Sequence, residues 1–155
     1  MSDYVIKNYD VVISALKNKN WLVDEDRDKK ELLARYDYED DFPMGFLMWT
    51  VPSLDIIKYV LPFSFKISEE KRLDAAVAVS VANYALVNGS FDYNIKDGSI
   101  EFRMGVSCFD CVYSEDFFID LFECGRWLVN KYIKKFYDLS EGTLTLKEFI
   151  ESENE

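Results

Sequence analysis

Cys108 and Cys111 form the one pair in this chain whose types and spacing spell out a familiar chemistry. Cys108-Phe109-Asp110-Cys111 has the form of a dithiol redox motif. That chemistry wants its first thiol at a helix N-terminus, where the dipole lowers the pKa. Here the pair stands several residues ahead of the nearest helix start, Ser114, and is flanked by Val106, Val112 and Tyr113, a strand-like setting. In an extended strand, residues three apart point to opposite faces. Structural zinc needs four ligands, and the chain adds only Cys124 and carboxylates, with no second such pair and no histidine. The cysteines read as incidental; redox and metal roles are the weaker alternatives.

Asp24, Asp26 and Asp28 imitate the opening of a calcium loop. The imitation fails at the sixth position, Lys29 where glycine is wanted, and at the twelfth, Arg35 where a bidentate glutamate is needed. No glycine-rich phosphate loop, Ser/His or Cys/His pairing, or H-E-x-x-H pattern occurs. Carboxylates are many but sit in turns and on polar faces, where an acid/base pair looks the same as solvated charge. No catalytic residue, metal ligand or cofactor is therefore assigned. Asn83, polar inside an apolar helix, reads as a hydrogen bond from that helix to neighbouring strand backbone, with a ligand contact as the alternative.

The elements that would position these residues are easier to read. Residues 3–18 form an amphipathic helix with Val5, Tyr9, Val12, Ile13 and Leu16 on one face. Trp21–Val23 starts a short strand. Leu32, Ala34, Tyr36 and Tyr38 alternate with Glu31, Arg35 and Asp37 in a second, which ends in the acidic loop Glu39–Pro43. Gly45–Val51 is apolar on both faces, as a central strand covered on both sides would be. After a turn at Pro52-Ser53, Ile57, Tyr59, Leu61, Phe63 and Phe65 alternate with Ile56, Lys58, Val60 and Ser64 in a fourth strand. Pro62 suits an edge or a strand end.

Ser68 is the expected cap of a central helix, with Glu69 and Glu70 favourable to its dipole. Leu73, Val77, Val81, Tyr84 and Ala85 give its main apolar face, while Ala76, Val79 and Leu86 spread apolarity further, so burial on more than one side is expected. The uncharged run Ala75–Phe91 is 17 residues long and contains Asn83, Asn88 and Gly89. A span needs ~20 predominantly apolar residues, so this is a core helix. Next comes a hairpin. With Asp97-Gly98 as a two-residue turn, Ile95 faces Ile100, Tyr93 faces Phe102, Phe91 faces Met104, Asp92 faces Arg103 and Asn94 faces Glu101. Ser114 then caps a long helix that carries Phe118, Leu121, Phe122, Leu128, Val129, Tyr132 and Phe136. Gly125 within it implies a close backbone approach or a cost of ~1 kcal/mol against alanine. Ser140–Gly142 ends the helix. Thr145 and Glu148 have capping-box spacing for a short tail helix, and the last five residues read as disordered.

A chain of 155 residues fits one domain. Residues 1–142 form that domain, and 143–155 are a short C-terminal helix and tail. Lys and Arg total 18 against 29 Asp and Glu, a net charge of −11, which argues against nucleic-acid and membrane-surface partners. The opening Met1-Ser2-Asp3-Tyr4 has no secretory-signal character, and three cysteines suit a reducing cytoplasm. Twelve Phe, ten Tyr and three Trp exceed what one small core comfortably hides, so a second buried surface is expected.

The segments Asn88-Gly89-Ser90-Phe91-Asp92-Tyr93 and Asp97-Gly98-Ser99-Ile100-Glu101-Phe102-Arg103, preceded by Asn83, resemble the signature region of the YbjN-like family. The resemblance extends over residues 3–140 through the order of elements and the Pro62-Phe63 exit into Ser68–Arg72. Cys108/Cys111 and the tail after Gly142 depart from it. It implies an α+β fold in the order α-ββββ-α-ββ-α, an antiparallel sheet of five to six strands flanked by helices, similar to class I type III secretion chaperones. It further implies a bacterial, non-enzymatic protein described as a sensory transduction regulator, forming a homodimer and holding partner polypeptides on apolar surface. The residues expected to carry such contacts are Leu33, Trp49, Ile56 and Val60, on the sheet face away from the helices. The alternative is a small-molecule-binding or enzymatic domain whose site lies among the aromatics, which would require a deep pocket with convergent polar groups.

Overall fold

A computed structural model describes residues 3–35, 42 and 45–154. Helix α1 (Asp3–Asn18) buries Val5, Tyr9, Val12, Ile13 and Leu16, the face its spacing predicts. Strands β1 (Leu22–Asp26), β2 (Glu31–Arg35), β3 (Gly45–Val51) and β4 (Ile56–Pro62) follow as an antiparallel meander. Helix α2 (Arg72–Tyr84) leads into the hairpin β5 (Ser90–Tyr93) and β6 (Ile100–Ser107). Helices α3 (Glu115–Glu141) and α4 (Leu146–Glu151) close the chain. The six strands form one sheet, ordered β1-β2-β3-β4-β6-β5 and antiparallel throughout. Pro62 ends a central strand, where its missing N–H costs no ladder bond. The expected continuation of β2 through Tyr36 and Tyr38, and most of the loop Glu39–Pro43, lie outside the described residues.

One face of the sheet is buried against the helices. Leu32, Ala34, Phe46, Met48, Ile57, Tyr59, Leu61, Ile100, Phe102 and Met104 alternate onto it and join Phe118, Phe122, Tyr132 and Phe136 of α3 in a single core. Two clusters of rings organise that core. Phe122 stacks on Phe46 at 4.5 Å between centroids and meets Tyr59 edge-on at 5.2 Å. Phe91 contacts Phe63, Phe102, Tyr132 and Phe136. Among the described residues eleven aromatic side chains are buried in this one interior. Stacked and edge-on rings pack these densely between the sheet and α3, while Tyr4, Tyr84, Phe109, Trp127 and Tyr137 stay exposed.

Gly125 admits a side chain rather than a backbone. A Cβ there would lie 2.6 Å from the Tyr59 hydroxyl, which donates to the Leu121 carbonyl at 2.9 Å. The Ser114 cap, the stop at Gly142 and the Thr145/Glu148 capping box form as expected. The tail is not loose. Phe149 is buried against Phe136, and the Glu153 carboxylate accepts from Tyr132 Oη and Lys135 Nζ, each at 2.6 Å.

Three local expectations fail for physical reasons. The hairpin pairs Phe91 with Phe102, Asp92 with Glu101 and Tyr93 with Ile100, a slip of two residues that keeps each side chain on its face. A four-residue loop causes the slip. Gly98 N–H donates to Asn94 O at 2.8 Å, and Asp97 Oδ1 accepts from both the amide and the hydroxyl of Ser99. Those bonds, with Lys66, hold the Asp97 carboxyl well below the usual carboxylate range. Ile67 N–H docks on Gly98 O at 2.8 Å, and Gly98, at φ +77°, leaves no room for a side chain against it. The Asp92–Arg103 ion pair survives diagonally at 3.1 Å. Second, Ser68 does not cap α2. Its hydroxyl donates to Ser140 O and its amide to Ser140 Oγ, both at 2.8 Å, and a 3₁₀ turn over Glu69–Lys71 precedes the helix. Third, α2 buries its small residues, Ala75, Ala78, Val79 and Ala82, and leaves Leu73, Val77 and Tyr84 exposed.

Candidate protein-binding surface

The cysteine pair occupies a turn, not a strand. β6 ends at Ser107, Cys111 N–H reaches back to Cys108 O at 3.5 Å, and Asp110 adopts φ +51°. Cys108 is fully buried, and burial pushes its thiol up to about 11. A redox thiol needs the opposite shift. Asn8, a buried polar residue of α1 that its apolar helix face did not announce, holds the segment in place. Its amide donates to Cys111 O at 2.7 Å and accepts from Tyr113 N at 2.8 Å. Asp26 has a turn role, accepting from Lys29 N at 3.1 Å with Lys29 Nζ at 3.2 Å. Among the described residues no group of three His, Cys, Asp or Glu side chains could hold a metal ion.

A concavity of about 1010 Å³ lies beside the β5–β6 hairpin between Phe63, Phe65, Val79, Tyr93 and Ile95. Most of its polar side chains already have partners. Asp92 is paired with Arg103, Asn94 Oδ1 accepts from Lys96 N, and Ser99 donates to Asp97. Groups already committed to one another leave little with which to orient a small ligand.

The sheet face away from the core is different. Cross-strand register sets Asp24, Leu33, Leu47, Val60 and Arg103 in one row, Glu31, Trp49, Lys58 and Gly105 in the next, and Val51, Ile56 and Ser107 in a third. Leu33, Trp49, Ile56 and Val60 thus share this face, and Leu47 and Leu54 join them with side chains exposed to water. Val60, only 2% exposed between Leu47 and Arg103, offers little contact area. Lys58 Nζ lies 4.7 Å from the Trp49 ring centre. A concavity of about 490 Å³ opens over Leu33, Leu47 and Trp49, walled by Asp24, Asp26 and Glu31. Another, of about 330 Å³, lies over Val51, Leu54 and Ile56 near Arg103.

Alternation alone could have added Leu47 to the expected set, since it occupies the outward phase between Phe46 and Met48. A second apolar surface lies on α2, where Leu73 and Tyr84 are 74% and 95% exposed and Val77 is also open to solvent, and Val87 just beyond the helix extends it. Leu73, Val77 and Tyr84 are side chains that the helical spacing assigned to the core. Among the described residues no helix is long and apolar enough to cross a membrane.

The fold has a solved counterpart. A chain of the HopA1-SchA chaperone-effector complex superimposes with a TM-score of 0.55 over 88% of this chain and 97% of that chain, at 4% identity. The likeness is one of fold, and it is chaperone-like. No family model matches the chain, and no curated protein matches it.

Proposed function

We propose that this protein is a non-enzymatic, chaperone-like binding module that holds a partner polypeptide on the open sheet face. The observation that carries this reading is the contiguous apolar staircase Leu33–Leu47, Trp49, Val51–Ile56 on the face turned away from the helix-covered core among the described residues. The fold it shares with a chain of a chaperone-effector complex supports the reading. The YbjN-like signature from Asn83 to Arg103 favours a bacterial regulatory setting in signalling or stress response, and the cytoplasm is where three free thiols stay reduced. A net charge of −11 disfavours nucleic acid and anionic lipid as alternatives.

The module works as a homodimer through α2. The stretch Ala75–Asn88 carries no charge on a chain of net −11, so two copies meet there with the least repulsion. Leu73, Val77 and Tyr84 supply the apolar contact.

A photo-crosslinking residue at position 47 tests the open face in the native host. A discrete polypeptide adduct is expected there and not at position 127, an exposed site on α3. Equal labelling at both positions, or none at 47, overturns the reading.

A further inference from the structure

We infer that the groove over Leu33, Leu47 and Trp49 takes a polypeptide segment that is both apolar and cationic, a leucine-like anchor flanked by lysine or arginine. The inference rests on the open face being a partner site, and it assigns the partner's chemistry.

The charge pattern carries it. Asp24, Asp26 and Glu31 are exposed and stand around the apolar floor. Asp26 lies directly opposite Glu31 in the β1–β2 register, and Asp24 sits one outward step along from Asp26. Like charges facing each other across a sheet weaken it. The arrangement is relieved only in part, because Lys29 pairs with Asp26 at 3.2 Å. Among the described residues Asp24 and Glu31 have no ion-pair partner, and Lys58 lies over the Trp49 ring instead. A cation from a bound segment would meet three carboxylates beside a surface ready to take its apolar neighbour. Across the sheet from the acidic strands β1 and β2, β4 carries Lys58 over the Trp49 ring and β6 carries Arg103 paired with Asp92, so charge changes sign across the face and gives a segment a preferred direction. A second copy of this acidic chain, or an anionic ligand, meets repulsion at the groove.

Two short peptides of equal length test this by calorimetry, one alternating leucine with lysine and the other leucine with glutamine. The lysine peptide is expected to bind the wild-type protein at least about tenfold more tightly, with an advantage that shrinks as salt rises. The advantage should vanish in Asp24→Asn/Asp26→Asn/Glu31→Gln. It should persist in Glu69→Gln/Glu70→Gln/Glu141→Gln, which removes as much charge from exposed sites elsewhere. Thermal unfolding of both triple variants checks that they remain folded.

If the distant variant loses the advantage as well, the attraction belongs to the whole molecule and the inference fails. Equal binding of both peptides, abolished by Leu47→Ser, overturns the cationic preference and leaves the open face standing as the partner site. No binding by either peptide also overturns it, while crosslinking at position 47 decides the broader reading separately.

Discussion

A thiol that water does not reach is a poor nucleophile, and Cys108 is such a thiol. Its neighbours are the β6 end and the turn that follows, and burial raises its pKa to about 11 against an ordinary value of about 8.5. At pH 8 its thiolate fraction is lower by roughly two orders of magnitude. Iodoacetamide at that pH should therefore label exposed Cys124 readily and Cys108 at least about a hundredfold more slowly, read by mass spectrometry of the intact protein and its peptides. The same shift ties stability to pH. Because folding raises this pKa, the stabilisation is complete below about pH 8.5 and is lost as pH rises through about 11. Rapid labelling of Cys108 in the folded protein would reopen the redox reading. At this scale the sequence was informative about what the dithiol is not, since its distance from a helix start was visible. That it lies in a turn was not, because the turn is held by Asn8, 103 residues from Cys111.

Asn83 joins two elements at once. Its side chain accepts from Phe91 N–H at 2.7 Å and donates to Phe91 O at 3.0 Å, satisfying the outward backbone groups of edge strand β5 and tying α2 to it. A free sheet edge invites pairing with another chain, and this bidentate contact blunts it. Asn83→Ala leaves both groups unpaired, with an expected loss of about 1–3 kcal/mol in urea unfolding and increased aggregation on heating. A change below about 0.5 kcal/mol would show that water replaces the amide at no cost. The hydrogen bond itself was legible, because an amide inside an apolar helix needs a partner and the next element was a strand. The hairpin register was less so. Asp-Gly suggested a two-residue turn, but Asp97 and Asn94 turn their side chains onto the loop's own backbone, and Ile67 grips Gly98 from outside. Long-range contacts of that kind leave no periodic trace. The caps of α3 and α4, built from residues three apart in sequence, were fully visible.

On the scale of the whole molecule, an apolar residue at helical spacing marks a face but does not say which neighbour covers it. The chain places small residues of α2, Ala75, Ala78 and Ala82, toward the interior, where they let the helix lie close, and puts its larger ones outside. Both sets were apolar, so periodicity alone chose the bulkier one. Bulk on the outside has a use if two copies share it. Helix α2 has 13 residues, so it is about 20 Å long and offers a strip about 10 Å wide. A footprint of roughly 200 Å² falls well short of the ~800 Å² per partner of a standard interface, even with Leu86 and Val87 extending it. The dimer is therefore expected to be weak, dissociating over the micromolar range. Analytical ultracentrifugation should follow the wild-type protein from one chain to two across that range, while Val77→Glu stays monomeric. Val77 is 46% exposed, so the charge should leave the unfolding midpoint nearly unchanged and separate loss of pairing from loss of fold. A wild-type protein that remains single throughout, or a Val77→Glu variant that still pairs, would rule out α2 as the contact.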